Sequence, residues 1–150
     1  MRVVVQRVSL ASVTIDGRIA GQISRGLLVF VGIETADTVA DGEWLAAKIT
    51  KLRIFSDDQG QMNQSVVDVA GEILLISQFT LHASTQKGAR PSFNQAAPGD
   101  QARGLYTQFI AQLSSALGRN VATGEFGADM KIALINDGPV TLIIDSKRRD

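Results

Sequence analysis

The chain has 150 residues, of which 15 are basic and 15 acidic, so its formal net charge is zero. The absence of cysteine excludes a disulfide scaffold and thiolate metal sites. The balanced charge disfavours sequence-independent binding along a nucleic-acid backbone, but it is compatible with binding one RNA end. No apolar run approaches the ~20 residues of a membrane span, and the first residues lack the apolar core of a signal peptide, so we expect a cytoplasmic protein without membrane contact.

The first half of the chain predicts a hairpin, a buried strand and a helix. Asp16-Gly17 lies between two β-branched segments and predicts a two-residue turn of type I′. The unbroken apolar segment Leu27–Ile33 predicts a strand covered on both faces. A helix with Trp44 on its apolar face follows and should end near Lys51. The other predicted strands are Arg2–Val8, Ser12–Ile15, Arg18–Ile23 and Arg53–Phe55.

The second half predicts a long strand, a loop, a helix and two further strands. Apolar residues from Ala102 to Leu117 recur at helical spacing, and Gly118 supplies the stop. The segment Asn136–Pro139 predicts a hairpin turn. The remaining predicted segments are the strand Glu72–Leu81, the loop His82–Gly99, and the strands Lys131–Ile135 and Val140–Asp145.

These elements predict the fold class. No linker or repeat divides the chain, so we expect one domain over residues 1–150. Strands cluster in hairpins instead of alternating with helices. This pattern indicates an α+β fold with a mainly antiparallel sheet or barrel-like core and two long helices packed outside.

The end of the long strand is the first candidate site. Alternation along a strand predicts that Gln78, Thr80 and His82 share one face. Because His82 is the only histidine, a serine or threonine hydrolase mechanism would have to use it, and a Thr80–His82 nucleophile–base pair of a general esterase is one interpretation. The alternative is the polar outer face of a strand that leaves the core.

Two loops supply further candidates. The Gly138-Pro139 turn has no long side chains and would present rigid main-chain acceptors to a small ligand. The segment with Lys87, Arg90 and Phe93 combines two cations with an aromatic ring, which is typical of a phosphate or ribose site and also of a solvated loop. These residues also suit a small RNA- or nucleotide-binding barrel without catalytic activity.

Six motifs in order make the chain resemble the D-aminoacyl-tRNA deacylase family over essentially its whole length. They are Gln6-Arg7-Val8, Asp57 to Asn63 with Ser65-Val66, Ser77-Gln78-Phe79-Thr80-Leu81, Lys87-Gly88 with Arg90-Pro91 and Phe93, Phe126-Gly127-Ala128-Asp129-Met130, and Asn136-Asp137-Gly138-Pro139-Val140-Thr141.

The resemblance implies a homodimeric cytoplasmic hydrolase, without metal or cofactor, that cleaves the ester between a D-amino acid and the 3′-terminal adenosine of tRNA. It implies that Gly138-Pro139 is a cis peptide that enters the partner's active site and screens the chirality of the aminoacyl group. The implied catalytic residues are Ser77, Gln78, Phe79 and Thr80. The implied supporting or substrate-binding residues are Arg7, Lys87, Arg90, Phe93 and Met130.

Two mechanisms are compatible with this resemblance. In one, Thr80 is the nucleophile or positions water. In the other, the protein supplies orientation and an oxyanion site from the N–H groups of Phe79 or Thr80, while the neighbouring ribose hydroxyl activates water. We favour this second mechanism because the sequence offers a single dubious base and no metal site. A steric screen for chirality would also accept glycine, so we expect glycyl-tRNA to be a substrate.

Overall fold

A computed structural model describes residues 1–149, which form eight strands, two α-helices and one short 3₁₀ turn. The strands are β1 (Arg2–Ile15), β2 (Arg18–Ile23), β3 (Gly26–Gly32), β4 (Phe55–Ser56), β5 (Met62–Gln64), β6 (Glu72–Ser77), β7 (Ala122–Thr123) and β8 (Lys131–Asp145), and the helices are α1 (Val39–Lys51) and α2 (Gly99–Leu117). Within residues 1–149, neither helix is long and apolar enough to cross a membrane.

Strand β1 organises the main sheet. It pairs antiparallel with β3 through its first half, with β2 through its second half, and with β8 along nearly its whole length. The sheet then continues from β3 to β6 and from β6 to β7 in parallel. Parallel neighbours need crossover connections, and α1 and α2 lie in these two crossovers. The α+β class is confirmed, and the sheet is mixed.

The sheet nearly closes on itself. A Cβ added at Gly21 in β2 would lie 2.7 Å from the Thr123 carbonyl oxygen in β7, so the two strands at the ends of the sheet approach each other closely. This contact gives the core its barrel-like form, as predicted. β4 and β5 form a separate antiparallel pair.

Apolar side chains fill two clusters, one on each face of the sheet. The larger cluster lies under the helices and includes Leu45 and Phe109, whereas the smaller one contains Val13 and no helical residue. Strand β3 supplies both, because its alternate residues belong to opposite clusters. The prediction of a strand covered on both faces is confirmed.

The turn predictions near the start of the chain and after the second helix also hold. Asp16 and Gly17 have φ values of 50° and 76°, which suit a type I′ turn. Gly118 adopts φ 82° and ends α2. Helix α1 ends at Lys51, where the sequence placed its end.

The strand predicted to reach Leu81 ends earlier, at Ser77. The chain then bends into a 3₁₀ turn over Phe79–His82. This turn packs directly on Gly32, where an added Cβ would lie 2.9 Å from the Leu81 Cβ atom and 3.0 Å from the His82 ring. The absence of a side chain at Gly32 therefore gives the polypeptide room to fold back.

The hairpin predicted at Asn136–Pro139 is wrong. Both flanking segments belong to β8 and pair with the same strand, since Asn136 lies opposite Val8 and Thr141 opposite Gln6. The intervening residues form a bulge in one long strand. The Asn136 side chain closes the bulge by donating to the Val140 carbonyl and accepting from the Val140 N–H. We call residues 137–139 the Gly-Pro corner.

Candidate functional site

A cavity of about 450 Å³ opens where β6 ends. This volume lies within the range of small-molecule sites, ~300–1,000 Å³. Segments that are distant in sequence build its walls: the end of β6 with the 3₁₀ turn, the start of α2, and the loop before β8. Among the lining residues are Ser77, Gln78, Phe79, Gly99, Ala102, Phe126, Gly127, Ala128, Asp129 and Met130. Two of the sequence motifs therefore meet at one cavity.

Main-chain hydrogen bonds fix the 3₁₀ turn beside this cavity. The Gln78 N–H donates to the Val31 carbonyl at 2.7 Å, and the Leu81 N–H donates to the Gln78 carbonyl at 3.2 Å. The N–H groups of Phe79 and Thr80 have no hydrogen-bond acceptor among residues 1–149, as is usual for the first donors of a helical turn. The turn therefore leaves two consecutive main-chain donors free, the first on Phe79, which lines the cavity, and the second on Thr80, which follows it.

The Thr80–His82 pair is not formed. Thr80 is exposed, and its hydroxyl accepts a hydrogen bond from the side-chain amide of Gln78. His82 is only 2% exposed, and neither ring nitrogen has a hydrogen-bond partner among residues 1–149. The prediction fails because the bend after Ser77 turns the imidazole into the interior, against Gly32. The esterase interpretation thus lacks its base.

Arg2 holds the far end of the turn, a role that the sequence did not indicate. Its guanidinium donates from Nη1 to the Leu81 carbonyl at 2.8 Å and from Nε and Nη2 to the Asp145 carboxylate at 3.0 and 2.9 Å. Burial raises the pKa of Asp145, but hydrogen bonds from the Lys147 main chain and from Arg2 outweigh it and hold that pKa below its ordinary value. The ion pair thus ties the turn to the end of β8.

The cationic loop reaches the cavity through its aromatic residue. The Phe93 ring packs edge-on against Phe79 with 5.0 Å between ring centroids. Lys87 and Arg90 are exposed and form no ion pair within residues 1–149. The structure therefore joins Phe93 to the cavity wall and leaves the two cations in solvent.

Arg7 holds the Gly-Pro corner from beneath. The arginine is 8% exposed, and its Nε donates to the Asp137 carbonyl at 2.8 Å while Nη1 donates to the Ile54 carbonyl. Gly138 adopts φ 143°, a region that favours glycine, and the Gly138-Pro139 peptide is cis. All three residues of the corner are exposed. The corner is therefore a fixed main-chain projection.

The Gly-Pro corner is remote from the cavity of its own chain. It lies opposite Arg7, which pairs with Leu27 in β3, and Leu27 pairs with Ile73 in β6. Ser77 is four residues further along β6 and three strands away from β8, a separation of roughly 20 Å along the sheet. One copy of the chain therefore does not bring the corner to the cavity.

No group of three or more His, Asp or Glu side chains within residues 1–149 is arranged to hold a metal ion.

Comparison with known proteins gives consistent matches over the chain. The family model described as D-Tyr-tRNA(Tyr) deacylase matches residues 4–145. The D-aminoacyl-tRNA deacylases of Opitutus terrae and Parabacteroides distasonis are 60% and 58% identical over 150 residues, with both chains fully covered in each case. A solved structure named c-Myc DNA Unwinding Element Binding Protein is 42% identical with a TM-score of 0.92, covering 97% of this chain and 98% of that one. The chain belongs to the D-Tyr-tRNA(Tyr) deacylase family.

Proposed function

We propose that this protein is a cytoplasmic homodimer that hydrolyses the ester bond of D-aminoacyl-tRNA and thereby removes D-amino acids from the translation pool. The observation that carries the proposal is the cavity at the end of β6, lined by Ser77, Gln78 and Phe79. Its volume suits an aminoacyl group together with the terminal adenosine. Whole-chain identity to D-aminoacyl-tRNA deacylases supports the substrate class.

The chemistry assigned to the chain is orientation and charge stabilisation. In this proposal the ester carbonyl lies at the start of the 3₁₀ turn, where the unpaired N–H groups of Phe79 and Thr80 stabilise the oxyanion of the tetrahedral intermediate. Gln78 supports this geometry, because its side chain holds the Thr80 hydroxyl. Met130 lines the same cavity and would contact the substrate there.

The attacking water is activated by the substrate. The buried imidazole of His82 makes no hydrogen bond with Thr80, and within residues 1–149 no base is hydrogen-bonded to that hydroxyl. The ribose hydroxyl next to the ester is held close to the reacting carbon in every bound substrate. It therefore takes the role of activating water, and Thr80 only helps to shape the site.

The RNA end is held at the rim of the cavity. The Phe79–Phe93 pair offers an aromatic surface on which the terminal adenine stacks, and Lys87 and Arg90 lie in the same loop, available to phosphate oxygens. Stacking and phosphate contacts of this kind do not distinguish amino acids. Selection must therefore come from elsewhere.

Chiral selection is assigned to the Gly-Pro corner of the second copy. The corner is exposed, fixed by Arg7 and roughly 20 Å from the cavity of its own chain, as expected for a group that acts on a partner's site. In the dimer an L side chain would collide with main-chain atoms of Gly138-Pro139, whereas a D side chain would point away. Glycine has no side chain to collide, so glycyl-tRNA is also hydrolysed.

The test is a deacylation assay with D-tyrosyl-, L-tyrosyl- and glycyl-tRNA. The wild type should hydrolyse the D-tyrosyl and glycyl esters, spare the L-tyrosyl ester, and sediment at twice the 16.0 kDa chain mass. A monomer, or hydrolysis of neither D-tyrosyl- nor glycyl-tRNA, would overturn the proposal. Sparing of glycyl-tRNA alone would overturn the steric screen.

Gly138→Ala tests the corner itself. The added Cβ would lie 2.8 Å from Arg7 Nη2 and 2.9 Å from Val140 N, so the corner must shift. We expect the ratio of kcat/KM for D- over L-tyrosyl-tRNA to fall by about tenfold or more, equivalent to ~1.4 kcal/mol. Gly60→Ala is the matched control, because Gly60 also has a positive φ of 76° but has nothing within 4 Å of an added Cβ. Its ratio should stay at the wild-type value.

A further inference from the structure

The C-terminal half of α1 carries a concentration of positive charge that the proposed catalytic steps do not use. Lys48 and Lys51 are exposed on successive turns, and a shallow depression between them and Trp44 is also lined by Arg53. The guanidinium of Arg149 comes from the end of the chain to lie over the same indole. We call these five residues the α1 basic surface.

The indole of Trp44 orients two of the cations. The Arg149 guanidinium carbon lies 4.8 Å from the indole centroid, and Lys48 Nζ lies 5.6 Å from it. These distances are those of cation–π contacts, which hold a charged group while leaving its outward side free for an anion. The Trp44 ring therefore positions the two cations and is less suited to stacking with a nucleic-acid base.

Carboxylates of residues 1–149 offset the charge of this surface only in part. Lys48, Lys51, Arg53 and Arg149 form no ion pair with a carboxylate within residues 1–149. On α1 the neighbours of Lys48 three and four positions away are Trp44, Leu45, Lys51 and Leu52, none of them acidic. Asp68 is the carboxylate whose charge interacts with Arg53. The zero net charge of the whole chain thus conceals a locally cationic face.

One end of the α1 basic surface lies next to Arg7, the residue that holds the Gly-Pro corner. Arg53 is followed directly by Ile54, whose carbonyl accepts from the same Arg7 guanidinium that holds Asp137. Arg53 is itself oriented, because its Nε and Nη2 donate to Asn63 at 2.8 and 2.6 Å. If the corner projects into a partner's cavity, Arg53 lies beside the entrance to that cavity, and the other cations continue from it along α1.

We propose that the α1 basic surface binds the phosphate backbone of the tRNA acceptor arm whose 3′ end occupies the partner's cavity. This inference rests on the proposed function, which supplies the RNA substrate and the second copy. A row of cations that runs along α1 to the support of the corner matches the closely spaced phosphates of an RNA duplex, and contacts to phosphate carry no sequence preference. The surface therefore adds affinity for every tRNA without distinguishing amino acids.

The test compares two substrates and two variants. The substrates are D-tyrosyl-tRNA and D-tyrosyl-adenosine, which lacks the acceptor arm. Lys48→Gln/Lys51→Gln should raise KM for the tRNA about tenfold with kcat unchanged, leave both constants for D-tyrosyl-adenosine unchanged, and lower the salt slope of log kcat/KM by roughly two. Lys48→Arg/Lys51→Arg, which keeps the charges, should behave as the wild type.

Arg18→Gln controls for the loss of a cation elsewhere. Arg18 is exposed in the β1–β2 hairpin, where its Nη2 lies 3.0 Å from the Glu125 carboxylate. The residue opposite it in β1, Ile15, is eight residues from Arg7, roughly 26 Å along the strand. Its KM for tRNA should stay at the wild-type value. An equal rise in KM for Arg18→Gln and the lysine variant, or a rise shared by D-tyrosyl-adenosine, would overturn the proposal.

Binding of uncharged tRNA separates this inference from the proposed catalytic function. By fluorescence anisotropy, Lys48→Gln/Lys51→Gln should raise the Kd for uncharged tRNA about tenfold, and the arginine pair should restore it. An unchanged Kd would overturn the α1 basic surface as an RNA site even if deacylation is found. Failure of the wild type to hydrolyse either D-tyrosyl-tRNA or glycyl-tRNA would instead overturn the proposed function.

Discussion

Two arginines of β1 hold two different regions of the molecule. Arg2 fixes the 3₁₀ turn at the cavity through the Leu81 carbonyl, and Arg7 fixes the Gly-Pro corner through the Asp137 carbonyl. The Arg2 side chain is 34% exposed and forms an ion pair with Asp145. The Arg7 side chain is 10% exposed and donates mainly to main-chain oxygens.

In the proposed function, this difference separates substrate binding from chiral selection. The cavity is a concave site built from several segments, and Arg2, which fixes its 3₁₀ turn, is partly exposed to solvent. The corner is a convex projection that the buried Arg7 side chain and the partly buried Asn136 side chain hold in place. Changes near the cavity should therefore alter the rate of hydrolysis, and changes near the corner should alter which enantiomer is accepted.

The largest expected effect tests the chemistry at the cavity alone. A D-tyrosyl ester on a tRNA with a 2′-deoxy terminal adenosine removes the hydroxyl assigned to water activation, so kcat should fall about 100-fold with KM little changed. Steady-state deacylation over a range of substrate concentrations measures both constants. Thr80→Ala on the normal substrate is the companion measurement and should keep kcat within about threefold. Full activity on the deoxy substrate with an inactive Thr80→Ala would reverse the assignment and favour covalent catalysis.

The corner is addressed by Arg7→Met, which keeps much of the side-chain volume and removes the donors to Asp137 and Ile54. Two hydrogen bonds from a charged donor to main-chain carbonyls are lost, one buried and one partly buried, so the free energy of unfolding should fall by about 3 kcal/mol, as measured by urea denaturation. The D-to-L ratio of kcat/KM should fall about tenfold. Arg7→Lys, which retains one donor group, should have a stability and a D-to-L ratio between those of the wild type and Arg7→Met. A variant that is destabilised but fully selective would show that Arg7 supports the fold and not the screen.

The sequence predicts the hydrophobic elements well because their signals are local. The periodic apolar residues of α2 and the unbroken apolar run of β3 each identify their element without knowledge of the rest of the chain. The positive φ values at Asp16 and Gly17 likewise follow from a two-residue signal. The fold class then follows from the order of these elements.

The candidate site is harder to predict because its geometry depends on distant residues. The bend after Ser77 needs the space above Gly32, which is 45 residues earlier in the chain. The bulge at Asn136 arises because β1 is long enough to pair with both halves of β8. Neither fact is visible in the local sequence, and both decide which side chains face solvent. The family motifs identified these segments, while alternation along a strand misplaced His82.

The anchor at Arg2 gives a smaller effect that depends on pH. The pKa of Asp145 is lowered in the folded chain, so its contribution to stability is present above the ordinary value of 3.8 and is lost as the pH falls through the folded pKa. Asp145→Asn should cost about 1 kcal/mol at pH 7 and progressively less below pH ~4. Thermal unfolding at pH 7 and pH 3 measures the difference. An equal cost at both pH values would mean that the charge of Asp145 does not support the turn.

The smallest expected effect is that of His82→Leu. The imidazole is buried with both nitrogens unpaired, so an apolar side chain of similar size removes a desolvation cost while keeping the packing on Gly32. The free energy of unfolding should be unchanged or rise by about 1 kcal/mol, and kcat for D-tyrosyl-tRNA should stay near the wild-type value. His82→Ala serves as the comparison and should lose stability because it leaves a cavity under the turn. If the leucine variant were folded and stable but inactive, the histidine would have a chemical role. The cavity would then supply a protein base in addition to orienting the substrate, while the corner would still select the enantiomer.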